Sequence, residues 1–475
     1  MPLENLSQKK QAVSEFIDRI APKRDNWIRL NRYYYNDLLR LFRYSIPEKS
    51  SVIEIGCGSG FILSKLKPSR GVGIDISPEM IRIARKQYPG LEFLEMDAEN
   101  MNLQEQFDYV IISDTLGYFE DIQRSFSELK KICSPESRII ITYHNYLWTP
   151  FTTLAEWLHL KMPRKKLNWL NKQDICNLLE IENFEIIKTG KRFLFPVYFP
   201  VISWFFNRIL VQLPIIRSLS LTGYIIARKT ESLFSSNLSV SVIIPARNES
   251  GNIENALLRM PMMGKNTEVI FVEGHSTDNT LDEIQRVCDK YNDQWNVKYI
   301  LQDGKGKGDA VRKGFDVATN DILMILDADL TVPPEQLTKF YDAIVSGKGE
   351  FINGTRLVYP MEKEAMRFLN MIGNNFFSVM FSWLLDQRLK DTLCGTKVLL
   401  KKNYIKIKEN RHYFGEFDPF GDFDLLFGAS KLNLKIIEIP IRYQAREYGE
   451  SNISRFKHGW LLMKMTLFAL IKLKI

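Results

Sequence analysis

Ile322-Leu323-Met324-Ile325-Leu326-Asp327-Ala328-Asp329-Leu330 is a nine-residue run with two unlike halves. Five consecutive apolar residues, several of them branched, predict a strand buried on both faces of a parallel sheet. The strand runs straight into two carboxylates spaced i, i+2. Continued strand geometry would place them on one face, at the carboxyl end where open α/β sheets hold their ligands. A buried strand gains nothing from ending in two like charges unless a cation sits between them. Two hard oxygen ligands suit Mg²⁺ or Mn²⁺, which takes one or two carboxylates and completes its shell with substrate phosphates. Asp327 and Asp329 are therefore the expected metal ligands.

Upstream, the same alternation of strand and helix begins at Val240-Ser241-Val242-Ile243-Ile244-Pro245-Ala246-Arg247-Asn248-Glu249. A second strand, EVIFVEG, ends in Glu273, and Ser276-Thr277-Asp278 then offers a helix cap. A third, YILQ, leads into the Gly/Lys loop around Lys307, whose charge suits diphosphate oxygens, and a helix from Asp309. In this order the pieces resemble the family 2 glycosyltransferases of the GT-A fold, in their polyprenyl-phosphate sugar synthase branch, over about residues 238–456. The resemblance implies a nucleotide-diphosphate sugar held by Pro245, Arg247, Glu249, Glu273, Lys307 and Asp327. Arg247 stands where the family has tyrosine, and Gly274 and His275 depart from its acidic pair, which leaves the nucleotide open. It also implies an acceptor-side helix pair in the apolar stretch AMRFLNMIGNNFFSVMFSWLL, and a closing loop with Arg442, Arg446 and Ser451. Asp422 and Asp424 fall at a helix start. A polyprenyl phosphate acceptor is already anionic. A hydroxyl on a glycan would need a base, for which Asp422 is the choice, with Arg446 neutralising the leaving group.

The first half carries a separate alternation. Residues 1–48 read as amphipathic helices, followed by Ser51-Val52-Ile53-Glu54-Ile55-Gly56-Cys57-Gly58-Ser59-Gly60, a strand meeting a glycine loop. Glycines let backbone turn sharply and approach a ligand beside a helix amino terminus. The second strand, GVGID, ends in Asp75, placed to accept from ribose hydroxyls. Asp97 follows a third strand, Asp114 and Tyr118 a fourth, and Tyr143, His144 and Asn145 end a fifth. This order resembles the class I S-adenosylmethionine-dependent methyltransferases over about residues 45–229, with Glu54, Gly56, Gly58, Gly60, Asp75 and Asp97 on the cofactor. The spacing is G-x-G-x-G, not the G-x-G-x-x-G of dinucleotide oxidoreductases. His144 is the candidate general base.

The expected fold class is α/β in two domains: a Rossmann-like methyltransferase sheet over 1–229, a linker over 230–239, and a GT-A sheet over 240–475. An apolar insertion, 195–216, is expected to pack as a lid, with a membrane-dipping hairpin as the alternative. Apolar content of 45% and charge of 25% are ordinary for full cores. The net charge of +8 is uneven, since the chain through Lys229 holds 32 basic and 25 acidic residues. No dense basic run suggests nucleic acid. Five scattered cysteines suit a cytoplasmic protein with reduced thiols. The last twenty residues read as an amphipathic helix with lysines mostly to one side, a candidate peripheral contact with an anionic membrane. The alternative to two enzymes in one chain is that one half is a non-catalytic binding module.

Overall fold

The computed structural model describes residues 6–165, 168, 170–230, 237–358, 368–411, 423–444, 446, 448 and 455–473. The chain divides into two compact units, Met1–Thr230 and Glu231–Ile475.

In the first unit the strands are β1 (Ser51–Ile55), β2 (Arg70–Asp75), β3 (Glu92–Glu95), β4 (Phe107–Ser113), β5 (Cys133–His144), β6 (Phe184–Arg192) and β7 (Thr222–Lys229). They form one sheet in the order β3-β2-β1-β4-β5-β7-β6. The five strands β1 to β5 pair in parallel, and β7 runs antiparallel to both β5 and β6. Continuous apolar runs such as Val110-Ile111-Ile112 are fully buried because helices cover both faces. The strand order reverses between β1 and β4, where Ile55 is level with Ile74 and with Ile112. Gly56, Asp75 and Asp114 therefore leave the sheet at one edge. Helices Gln8–Ile20, Arg24–Leu30 and Arg32–Ser45 precede the sheet, as their amphipathic spacing predicts.

The second unit adds β8 (Val240–Ala246), β9 (Thr267–Glu273), β10 (Asn296–Leu301), β11 (Ile322–Ile325), β12 (Phe351–Thr355), β13 (Lys397–Leu400) and β14 (Ile436–Pro440). Their order is β10-β9-β8-β11-β13-β12-β14. β8 to β11 are parallel, whereas β13 runs antiparallel to β11 and β12. The central strand is thus buried on both faces, as its sequence predicts, but has one antiparallel neighbour. Apolar cores lie on either side of the sheet.

The expectation that Asp327 and Asp329 share a strand face is corrected. Pairing stops at Ile325, and the chain turns, with Leu330 N–H donating to the Asp327 carbonyl at 3.2 Å and Leu330 at φ +52°. The two carboxylates consequently meet different partners.

The insertion is less packed than a lid. Residues 196–219 form short helical turns with most large apolar side chains exposed. Among the described residues no helix is long and apolar enough to cross a membrane.

Two candidate active sites

At the edge of the first sheet, Gly56 and Cys57 N–H both donate to the Ile74 carbonyl (2.8 and 3.0 Å), which folds the glycine loop back over β2. Gly56 holds φ +72°, and a Cβ there would lie 2.3 Å from the Thr115 methyl. The loop is tied to Asp75, whose Oδ2 accepts from Gly58 N–H at 2.9 Å and whose Oδ1 accepts from Ser77 N–H at 2.9 Å. Burial, offset by those two amides, lifts the Asp75 carboxyl above its usual range.

Beside it lies a cleft lined by Gly56, Asp75 and Asp97, together with Thr115 and Phe119. Three of the six expected cofactor residues thus line one cavity. Glu54 does not. Its side chain turns under the loop, where Oε2 accepts from Leu63 N–H at 3.1 Å and burial pushes its pKa up to about 8. Gly58 and Gly60 shape the loop behind the wall, and the helix after Gly60, Phe61–Ser64, is a single turn.

What the sequence did not reveal is the cover. Helix Gln8–Ile20 supplies Lys10, Val13 and Ile17 to the same cleft. Lys10 Nζ lies 2.6 Å from Asp97 Oδ2 and 2.7 Å from Glu99 Oε2. Ser14 Oγ donates to the Ile76 carbonyl at 3.1 Å, and Ser59 Oγ to Asp25 Oδ1 at 3.0 Å. Arg24, over the Tyr35 ring at 5.6 Å, lies in the field of Glu54 and Asp75. The only hint in the sequence was the mixture of aromatic and charged residues on these helices.

Asp114, next to the lining residue Thr115, sits at φ +55°, an uncommon backbone for a non-glycine residue. It accepts from Tyr34 OH and, at 3.0 Å, from Thr142 Oγ1. His144 Nε2 lies 3.9 Å from Asp114 Oδ2, and its Nδ1 has no hydrogen-bond partner among the described residues. Burial lowers the His144 pKa despite Asp114, with Lys161 and Arg164 adding to the effect. The ring is therefore neutral near pH 7, the form that can accept a proton.

In the second unit, Pro245–Ala246, Glu273 and Asp327 reach one edge because β8 is level with β9 at Ala246–Glu273 and with β11 at Ile243–Ile325. Asp327 Oδ1 pairs with Lys307 Nζ at 2.6 Å. Burial alone would raise the Asp327 pKa, but Lys307, Lys397 and Arg356 outweigh it and hold it down. Asp329 Oδ2 pairs with Arg446 at 2.6 Å, while Oδ1 accepts from Thr331 Oγ1 at 2.8 Å. Arg446 also lies 3.5 Å from Glu249 Oε1, so three sequence-distant expected residues meet. Glu249 further accepts from Asn252 Nδ2 at 2.7 Å. Glu273 Oε1 accepts from Ser276 N–H at 2.6 Å, and Arg247 is exposed beyond it.

The sequence missed Gly395, Arg356 and Asp391. Gly395 precedes β13 and approaches so closely that a Cβ would lie 2.0 Å from Asp327 Oδ2 and 2.4 Å from Lys307 Nζ. Arg356 and the fully buried Asp391 form a two-point ion pair at 2.7 and 2.8 Å. Asp424 lies in the first turn of helix Phe423–Lys431 and pairs with Arg411 at 2.8 Å. Asp422 and Ser451 lie outside the described residues. Among the described residues no three His, Cys, Asp or Glu side chains converge as a metal cage. Two carboxylates alone fit a cation that takes its other ligands from phosphates and water.

The methyltransferase domain family matches residues 27–189, and glycosyl transferase family 2 matches residues 241–406. Dolichol-phosphate mannosyltransferase of Pyrococcus furiosus is 31% identical over 241 residues, 48% of this chain and 64% of that protein. Malonyl-[acyl-carrier protein] O-methyltransferase 1 of Ilyobacter polytropus is 25% identical over 194 residues, 39% of this chain and 70% of that protein. Glucosyl-3-phosphoglycerate synthase of Mycobacterium tuberculosis, solved with Mn²⁺ and uridine diphosphate, aligns with a TM-score of 0.38 at 16% identity, over 50% of this chain and 81% of that one. The chain thus spans less than two thirds of the mannosyltransferase it matches.

Proposed function

We propose, for a chain that joins a methyltransferase domain to a family 2 glycosyl transferase domain, that both sites catalyse group transfer. In the first, S-adenosylmethionine supplies an activated methyl group. Asp75 accepts from the ribose hydroxyls and Asp97 from the adenine amine, while the glycine loop lets the cofactor lie against backbone. Positioning carries most of such a reaction. His144, neutral and with Nδ1 unpartnered among the described residues, takes the proton from the acceptor.

In the second, the observation that carries the reading is the pairing of Asp327 with Lys307 and of Asp329 with Arg446 at one sheet edge. Both cations are assigned here to the diphosphate of a nucleotide sugar. Pro245, Arg247, Glu249 and Glu273 border the same edge and are assigned to the nucleotide side. A divalent cation on Asp327 and Asp329 would stabilise charge on the departing diphosphate. On donor binding, Lys307 and Arg446 turn from the carboxylates to phosphate oxygens, and displacement at the anomeric carbon proceeds with inversion. The name of the Pyrococcus relative supports a polyprenyl-phosphate acceptor, which needs no base.

The test is mass spectrometry of products formed by the full chain from S-adenosylmethionine, nucleotide sugars and polyprenyl phosphate. Asp329→Ala is expected to abolish sugar transfer and leave calorimetric binding of S-adenosylmethionine unchanged. Undiminished transfer by that variant, at the same metal dependence, overturns the assignment.

A further inference from the structure

Residues 196–219 are built inside out. Two of the segment's polar side chains are buried: Ser203 is 1% exposed and Asn207 6%. Asn207 Oδ1 accepts from Leu194 and Phe195 N–H at 2.6 and 2.8 Å, and its Nδ2 donates to the Phe195 carbonyl at 2.7 Å. Ser203 Oγ bonds with the backbone of Val197 and Phe199. Most of the large apolar side chains point outward instead, with Val201 77%, Ile215 85% and Trp204 51% exposed. Water gives no reason for this arrangement, whereas a bilayer interface demands that backbone groups be satisfied internally while apolar side chains face out. A neighbouring segment extends the surface: Trp148 Nε1 donates to the Leu219 carbonyl at 2.7 Å, and Phe151 and Trp157 nearby in sequence are 64% and 75% exposed.

Charge gives the occupant. From Ile186 to Thr230 the chain carries seven Lys and Arg and no Asp or Glu. At the root of the segment, Arg192 grips Asp37 at 2.6 and 2.9 Å, and Arg40 approaches the same carboxylate. Arg208 stands in the field of this group but forms no hydrogen bond or ion pair among the described residues. Two guanidinium groups pair with one carboxylate and a third lies in its field, an excess of positive charge beside an apolar surface.

We propose that residues 196–219 dock the first unit on an anionic bilayer, with Val201, Trp204 and Ile215 entering the interface and Arg208 meeting lipid phosphate. One consequence rests on the methyl-transfer reading. Tyr198, Tyr33, Phe193, Tyr34 and His144 form a chain of ring contacts at 5.2–5.8 Å leading from this surface to the proposed general base, so the methyl acceptor would be lipid-borne. Docking itself is measured without any cofactor, so its outcome is separable from that reading.

All five native cysteines are buried, so Val201→Cys in the full chain accepts an environment-sensitive nitrobenzoxadiazole label selectively. A label at Lys86→Cys, on the exposed side of helix Pro78–Gln87, is the control. Vesicles of phosphatidylcholine with phosphatidylglycerol are expected to shift the position-201 emission to the blue and raise it severalfold, with little change at position 86. Pure phosphatidylcholine should act at least tenfold more weakly. Ile215→Asp and Arg208→Glu, with unchanged melting, should each lower the vesicle partition coefficient by about fivefold or more. No response at position 201 while the protein floats with vesicles overturns the proposal. So does a blue shift that grows with protein concentration in the absence of lipid, which would mark a second copy as the occupant.

Discussion

Glu54 illustrates a strand-end acid that the structure buries beneath the glycine loop and not on the wall of the cleft. An acid ending the first strand of such a sheet invites a ligand role, yet its carboxyl is buried beneath the glycine loop with a pKa pushed up to about 8. The unfolded carboxyl titrates near 4.3. Between those values the folded state binds more protons than the unfolded one, so stability falls as pH rises from about 4.5 to about 8 and the cost persists above that. Glu54→Gln keeps an oxygen for Leu63 N–H and removes the charge. Its Tm is expected to match the wild type at about pH 4, below the unfolded pKa, and to exceed it by several degrees at pH 9, since about 1 kcal/mol moves a unit of this size by ~2–4 °C. A constant difference across that range would contradict the burial of a charge. Gly395 shows the opposite case, a residue with no legible role in sequence. Gly395→Ala forces Asp327 and Lys307 apart and is expected to cut sugar transfer about 100-fold while costing only ~1–3 kcal/mol of stability. Transfer at the wild-type rate would show that the Asp327–Lys307 geometry is not needed. Strand-end acids were legible because a buried strand has no other use for them. Lys10, Arg24 and Gly395 were not, because each meets its partners from far along the chain.

At the scale of elements, the strands with long branched runs were readable, and β12 and β13 were not. β13 has four residues and β12 ends in Asn353-Gly354-Thr355, too little for either period to emerge. The helices before β1 were recognised as amphipathic, but amphipathicity does not say what an element covers. Helix Gln8–Ile20 lines the cleft beside the glycine loop, with Lys10 clamped between Asp97 and Glu99. A partly buried pair of this kind resists opening more than an exposed one. Lys10→Ala is therefore expected to speed dissociation of S-adenosylmethionine roughly tenfold, ~1.4 kcal/mol, measured by stopped-flow displacement. It should accelerate association as well, because the same cover must open for entry. An unchanged dissociation rate would mean that the helix is fixed wall and not a cover.

At the scale of the whole molecule, two complete sheets in one chain mean that each site can be removed without the other, and the last helix raises the question of where the second one works. Arg455–Leu473 is amphipathic in sequence, and the structure supports two roles for it, a packed terminal helix and a peripheral membrane contact. Both have a physical basis in the structure. Leu462, Met465 and Ala469 are buried in the core beside β11. Trp460, Met463, Leu467 and Ile471 form an opposite stripe, 42–64% exposed, and Lys464 and Lys472 lie over the rings of Trp460 and Phe468 at 5.7 and 5.9 Å. Lysine stems along an apolar stripe suit a helix lying in an anionic interface. Its 19 residues, roughly 28 Å long, do not span, since one face belongs to the protein. Truncation before Arg455 is a poor test because it opens the core, at ~2–5 kcal/mol for each large side chain lost. The informative variant is Trp460→Ser with Leu467→Ser and Ile471→Ser, which leaves the buried face intact. In a chain already carrying Ile215→Asp, so that the first unit contributes little, this triple variant should melt within a few degrees of its parent and lose most remaining flotation with anionic vesicles. Flotation that survives at the parent's level would make the stripe an ordinary exposed surface and the helix a core element alone.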